Sequence, residues 1–150
     1  MKNLFNKFTK NIILPLAVAG ISYINVSAQN VSELKVKLDS LQTNAVEEYK
    51  QINNFEDCFL NQKDPTECSY TILENLNSSK KSFEEYVSIL KTKNIPRKLT
   101  SLRTNTLISK EKILISNINK YLKNPSKENA KQCIKIYNDF TKFLNESVTQ

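Results

Sequence analysis

Residues 125–148, PSKENAKQCIKIYNDFTKFLNESV, decide the fold class of this chain. The apolar residues of this stretch recur at steps of three and four: Ala130, Cys133, Tyr137, Phe140, Leu144 and Val148. That spacing places them on one stripe of an α-helix, with charged and amide side chains on the opposite side. Most of the stability of such a helix comes from burying its apolar stripe, so the rest of the chain has to supply packing partners.

The same period recurs in three earlier segments, which prolines separate at Asp64-Pro65, Ile95-Pro96 and Asn124-Pro125. We predict helix A over residues 30–55, helix B over 65–92, helix C over 96–123 and helix D over 125–148. Ser79 is the one gap in the stripe of helix B, and helix C uses Leu107, Leu114, Ile118 and Tyr121. Because the B–C and C–D connections are short, neighbouring helices should be antiparallel. The prediction is an all-α, up-down-up-down four-helix bundle.

The first 28 residues have the pattern of a secretory signal peptide. Lys2, Lys7 and Lys10 precede an apolar run over 12–21, and Val26-Ser27-Ala28 supplies small residues before a cleavage site. The apolar run is too short to span about 30 Å of hydrocarbon. We therefore expect an exported protein, periplasmic or secreted, whose mature chain 29–150 is a single bundle domain without a transmembrane segment.

Export changes how the three cysteines are interpreted, because a disulfide is expected between nearby thiols in an oxidising compartment. Cys58 and Cys68 flank the A–B connection and would close a short ring, whereas Cys133 lies on the core stripe of helix D. We prefer a Cys58–Cys68 disulfide with Cys133 free over a bridge that includes Cys133. Three cysteines at these spacings match no zinc pattern, so no metal site is predicted.

Composition excludes most enzyme classes. The only glycine, Gly20, lies in the predicted leader, and the chain has no histidine, so phosphate loops, dinucleotide fingerprints and imidazole chemistry have no residues to build them. The adjacent pairs Glu47-Glu48 and Glu84-Glu85 point about 100° apart on a helix and do not converge as an acid and a base. We predict a non-enzymatic protein without a cofactor.

Charge is the informative surface feature of the sequence. Residues 29–92 carry seven basic and 11 acidic side chains, whereas residues 93–150 carry 12 basic and four acidic ones. At 100° per residue, the lysines of helices C and D fall on outward arcs. They form a predicted lysine face: Lys98, Lys112, Lys120, Lys123, Lys127, Lys131, Lys135 and Lys142. The alternative is an ordinary solvated surface.

The predicted function is binding of an acidic protein or an anionic envelope component through this lysine face. Nucleic acid is not the expected partner, because only two of the basic residues are arginine and no aromatic side chains interleave with them. The second hypothesis is a carrier or sensor that holds a small apolar ligand among the core tyrosines. Those tyrosines are Tyr49, Tyr86, Tyr121 and Tyr137.

Overall fold

The computed structural model describes residues 28–61, 63–92 and 100–146. These residues form five helices: α1 (Ala28–Gln51), α2 (Phe55–Leu60), α3 (Thr66–Thr92), α4 (Thr100–Lys123) and α5 (Lys127–Glu146). The described part of the chain contains no strand, so the all-α prediction is confirmed. Residues 1–27 of the predicted leader, residues 96–99 of predicted helix C with Lys98 among them, and residues 147–148 of predicted helix D lie outside the described residues.

The prediction of one continuous helix A over 30–55 is wrong. Helix α1 ends at Gln51, and residues 52–54 form a turn. Its backbone hydrogen bonds span three residues, where those of an α-helix span four: Ile52 N donates to Tyr49 O at 3.3 Å and Phe55 N to Ile52 O at 3.1 Å. The turn contains Asn53 and Asn54, which favour turns over helix interiors because their side chains compete for backbone hydrogen bonds. The break starts the separate helix α2.

Helices α3 and α5 begin where side chains cap them. Asp64 accepts a hydrogen bond from the backbone N–H of Thr66 at 3.0 Å, as expected for an N-cap residue that is followed by proline. At α5 the cap is Ser126, whose hydroxyl oxygen accepts from the backbone N–H of Asn129 at 3.1 Å. At the end of α4, the backbone N–H of Asn124 donates to the carbonyl oxygens of Lys120 and Tyr121, both at 3.1 Å.

The helices pack in chain order around one core. Helix α1 packs on α3, α3 on α4, and α4 on α5, while the short helix α2 packs on α5 and α3. Helix α2 follows α1 directly in the chain and packs on α5, so it brings the first part of the chain into contact with the last helix. It does so with Phe55, Cys58 and Phe59, which are buried on its inner side.

Candidate functional site

The seven described lysines of the predicted lysine face are all exposed, but they border different parts of the surface. Three of them, Lys112, Lys120 and Lys123, line a cleft between α3 and α4 with a volume of about 630 Å³. Lys80 of α3 is the fourth lysine of its lining. The other lining residues are uncharged: Ile115, Ser116, Asn119 and Asn124. We call this the α3–α4 cleft.

A second depression, the α2–α5 groove, has a volume of about 440 Å³ and a different chemistry. Lys127 and Lys131 of α5 border it together with Lys63 from the α2–α3 connection. Most of its remaining lining is apolar: Phe59, Leu60, Pro65, Tyr121, Pro125, Ala130 and Ile134, with Ser126 added. The groove thus combines an apolar floor with three cations.

The described lysines of the predicted face have different neighbours. Lys112 faces α3, where it forms an ion pair with Glu84 at 2.9 Å. The side of α4 that faces α5 carries Lys110, whose ammonium lies 5.3 Å from the centre of the Phe143 ring. Lys135 and Lys142 are exposed on α5 and line neither depression. The sequence could not show which depression each lysine borders. Helical periodicity gives the side of the helix on which a lysine lies, but not which other helix packs beside that side.

The sequence-based prediction missed a polar cluster at the centre of the core. Glu111 of α4 is fully buried, and its Oε1 accepts hydrogen bonds from the Tyr49 hydroxyl at 2.7 Å and from the Ser79 hydroxyl at 2.9 Å. Its second carboxyl oxygen, Oε2, is buried without a hydrogen-bond partner among the described residues. Two signals were present in the sequence: Ser79 interrupts the stripe of helix B, and Glu111 fills the long step between Leu107 and Leu114.

Burial controls the ionisation of this cluster. Desolvation raises the pKa of Glu111 to about 7, although the hydrogen bonds from Tyr49 and Ser79 act in the opposite direction. Lys80 lowers this pKa and Glu84 raises it, both through charge. Burial, and then the charge of Glu111, raise the pKa of Tyr49 well above its ordinary value, so Tyr49 remains a hydrogen-bond donor. The cluster can therefore take up and release a proton near neutral pH.

The four core tyrosines are buried, as predicted, and the described aromatic contacts show how three of them pack. The Tyr49 ring lies 5.5 Å from Phe140 and 5.9 Å from Phe83, measured between ring centres. Tyr137 stacks on Phe55 at 4.2 Å, and Tyr121 meets Phe59 edge-on at 5.2 Å. Tyr86 is also buried. Three of the four tyrosines thus pack against phenylalanine rings in the core.

The cysteines are placed as the sequence predicts. Cys58 of α2 and Cys68 of α3 form a disulfide with their Cα atoms 6.0 Å apart, and Cys133 is a free, buried thiol. Burial raises the pKa of Cys133 to about 11, so the thiol is protonated at neutral pH. Within residues 28–61, 63–92 and 100–146, no group of His, Cys, Asp and Glu side chains is arranged to hold a metal ion.

The paired glutamates take part in separate surface contacts. Glu47 bonds to Lys50, and Glu48 accepts a hydrogen bond from Ser78 at 3.1 Å. Glu84 pairs with Lys112, and Glu85 pairs with Lys37 at 2.9 Å. Members of each pair point to different neighbours, which is what their positions on a helix require.

Comparison with protein-family models, curated proteins and solved structures finds no match for this chain. In the described helices, none is both long and apolar enough to cross a membrane. The described residues offer two lysine-bordered depressions on the surface and one buried carboxyl in the core whose pKa is raised to about 7.

Proposed function

We propose that this chain is an exported, non-enzymatic helical-bundle protein that binds an acidic protein or an anionic envelope component through those lysines of α4 and α5 that border the α3–α4 cleft and the α2–α5 groove. The four long helices form an up-down-up-down bundle in this proposal. Support for that topology comes from packing in chain order and from the three-residue connection between α4 and α5. The leader pattern and the Cys58–Cys68 disulfide support a periplasmic or secreted location.

The observation that carries the proposal is the concentration of lysines along two depressions. Five of the predicted lysines border them: Lys112, Lys120, Lys123, Lys127 and Lys131. Lys80 and Lys63, contributed by neighbouring parts of the chain, add to the positive lining. A concave surface lined by one sign of charge attracts counter-charged partners, raising their association rate and fixing their orientation.

Charge reversal within the depressions tests the proposal. The purified protein is titrated with poly-L-glutamate and, separately, with phosphatidylglycerol vesicles, which represent the two partner classes. The triple variant Lys120→Glu, Lys123→Glu and Lys131→Glu should weaken binding of the preferred probe by more than about tenfold at low salt, because it replaces attraction by repulsion. Added salt should weaken wild-type binding as well.

The matched control changes the same net charge outside the depressions, in Lys81→Glu, Lys135→Glu and Lys142→Glu. This control variant should lose less than about threefold in affinity, since its positions contribute only to the long-range field. Equal weakening of both variants would show that net charge alone attracts the probe and would contradict the proposal. Failure of the wild type to bind either probe at low salt would also contradict it.

Carriage of an apolar ligand among Tyr49, Tyr86, Tyr121 and Tyr137 remains the alternative, but no described contact favours it. Three of these tyrosines pack closely on phenylalanine rings. A carrier would gain thermal stability from long-chain alcohols or fatty acids at micromolar concentration, because a ligand that binds only the folded state stabilises it. A melting curve with these ligands distinguishes the two functions.

A further inference from the structure

The α2–α5 groove differs from the α3–α4 cleft in having a recessed apolar floor beneath its lysines. Phe59 is 7% exposed and Tyr121 is 4% exposed, and both line the groove with the half-buried Ile134. Leu60 adds an apolar side chain that is 62% exposed. Lys63, Lys127 and Lys131 border this surface, and none of the described residues that line it carries a carboxylate. The groove is therefore suited to a ligand that is apolar at its centre and negative around it.

The groove is held in shape by covalent and aromatic contacts. The disulfide at Cys58, the residue before Phe59, ties α2 to the start of α3. The Phe59 ring stacks on Phe55 at 4.8 Å and meets Tyr121 edge-on. Because the disulfide and the aromatic contacts already hold the floor, binding would require little ordering of the protein, which favours affinity.

One nearby carboxylate, that of Asp64, opposes the positive charge. It lies between two lining residues in the chain, and its charge adds to burial, the larger cause, in raising the pKa of Tyr121. Its hydrogen bonds from the backbone N–H and hydroxyl of Thr66 lower its own pKa and keep it ionised as the cap of α3. The lining itself carries three lysines and no carboxylate, so its own charge is positive.

The recessed floor favours a protein segment over a lipid surface. Side chains that insert into a bilayer protrude from the protein, whereas Phe59 and Tyr121 are buried and are placed to receive a side chain from a partner. An apolar side chain that enters a pocket surrounded by polar contacts is the common arrangement at the centre of protein interfaces. The lysines add attraction for carboxylates on either side of that anchor.

We propose that the α2–α5 groove binds an acidic segment of a partner protein by receiving one large apolar side chain on its floor while Lys63, Lys127 and Lys131 contact flanking carboxylates. This inference rests on the proposed function, because it assigns the anionic partner to a class and gives it a place on the surface.

The test uses two labelled peptides and fluorescence anisotropy at low and physiological salt. In one peptide a single phenylalanine is flanked on both sides by glutamates, and in the other alanine replaces the phenylalanine. The wild-type protein should bind the phenylalanine peptide at least about tenfold more tightly, a factor well within the contribution of burying one aromatic side chain. Equal affinity for the two peptides would overturn the proposal.

Two single variants and two matched controls locate the site. Leu60→Ser removes exposed apolar surface and Lys131→Ala removes one cation, and each should weaken binding of the phenylalanine peptide by about fivefold. Ile113→Ser and Lys135→Ala make the same kinds of change at exposed positions outside the groove, and each should weaken it by less than about twofold. Equal losses in variants and controls would place the peptide elsewhere.

A vesicle arm separates this inference from the proposed function. If both peptides bind with equal affinity while poly-L-glutamate still binds in a lysine-dependent way, the groove proposal fails and the proposed function stands. If phosphatidylglycerol vesicles bind and Leu60→Ser alone abolishes that binding, the groove receives lipid and the peptide proposal is overturned. If the wild type binds none of the probes, both proposals fail together.

Discussion

The aromatic end of the core and its polar centre are built on opposite principles. At the aromatic end, Phe55 stacks on Tyr137 and Phe59, and the Cys58–Cys68 disulfide lies beside them. At the centre, Tyr49, Ser79 and Glu111 form a hydrogen-bonded cluster that leaves one buried carboxyl oxygen without a partner. Stability at the aromatic end comes from apolar burial and a covalent tie, whereas at the centre it depends on protonation.

This difference indicates which part of the core responds to solution conditions. Apolar burial does not change between pH 4 and 8, because no titratable group has to gain or lose charge. The buried carboxyl of Glu111 is costly when ionised, and its pKa of about 7 lies within that range. We therefore expect the aromatic end to set the overall free energy of unfolding and the polar centre to make that free energy depend on pH.

Phe55→Ala should have the largest effect. Phe55 is fully buried between Phe59 and Tyr137, so its removal forfeits apolar burial and leaves a cavity, at a cost of about 3–5 kcal/mol in the free energy of unfolding. Urea unfolding followed by circular dichroism measures this loss. Leu60→Ala, in the same short helix at an exposed position, is the control and should cost no more than about 0.5 kcal/mol. Similar losses at both positions would contradict the packing of α2.

Removal of the disulfide should have the next largest effect. The double variant Cys58→Ser and Cys68→Ser should lose about 3 kcal/mol of unfolding free energy, because the short cross-link restricts the unfolded chain. Helix content in the cold should change little. Wild-type protein kept in reductant should behave like the variant, and mass mapping of non-reduced peptides should recover Cys58 linked to Cys68. A cross-link that includes Cys133 would contradict the pairing.

The aromatic end could be predicted from sequence to a larger extent than the polar centre. Periodicity located α3 over 66–92 within one residue of its predicted start, and the short spacing of Cys58 and Cys68 gave the disulfide. The break at residues 52–54 was missed because Ile52 and Phe55 continue the apolar spacing of α1 across the turn. Periodicity reports which residues are apolar on one side, and a turn that keeps them buried leaves it unchanged.

The polar centre escaped prediction because it requires knowledge of three helices at once. Ser79 and Glu111 each appear in the sequence as a missing apolar residue, and Tyr49 appears as an ordinary core aromatic. Only packing brings their oxygens within hydrogen-bond distance across α1, α3 and α4. The lysines show the same limitation, because the neighbour beside each outward arc decides which depression a lysine borders.

Glu111→Gln tests the pH dependence directly. Folding raises the pKa of Glu111 from 4.5 to about 7, so the folded chain holds this proton more tightly than the unfolded chain. The free energy of unfolding should therefore fall as pH rises from about 4.5 to 7, by up to about 3 kcal/mol, and change little above that range. Glutamine has no charge to bury, so in the variant this fall should be absent.

Urea unfolding at a series of pH values measures both curves. The wild type and the Glu111→Gln variant should be closest in stability near pH 4.5 and should diverge as pH approaches 7, with the variant the more stable. Two parallel curves would show that Glu111 does not control the response. The variant also keeps an acceptor oxygen for Tyr49 and Ser79, so those two hydrogen bonds are not the quantity being tested.

Glu84→Gln should have the smallest effect and the most specific one. Glu84 is an exposed residue whose negative charge adds to burial, the larger cause, in raising the pKa of Glu111. The free energy of unfolding falls over a pH window that ends near the pKa of folded Glu111, so neutralising Glu84 should lower the upper end of this window by a fraction of a pH unit. Its ion pair with Lys112 is solvent-exposed and contributes no more than about 0.5 kcal/mol.

Glu85→Gln is the matched control, because Glu85 is equally exposed and pairs with Lys37 but does not affect Glu111. A shift of the window in the Glu84 variant alone would show that surface charge on α3 tunes the buried carboxyl. The same shift in both variants would mean that Glu111 responds to the net charge of the surface, and a specific effect of Glu84 would be contradicted.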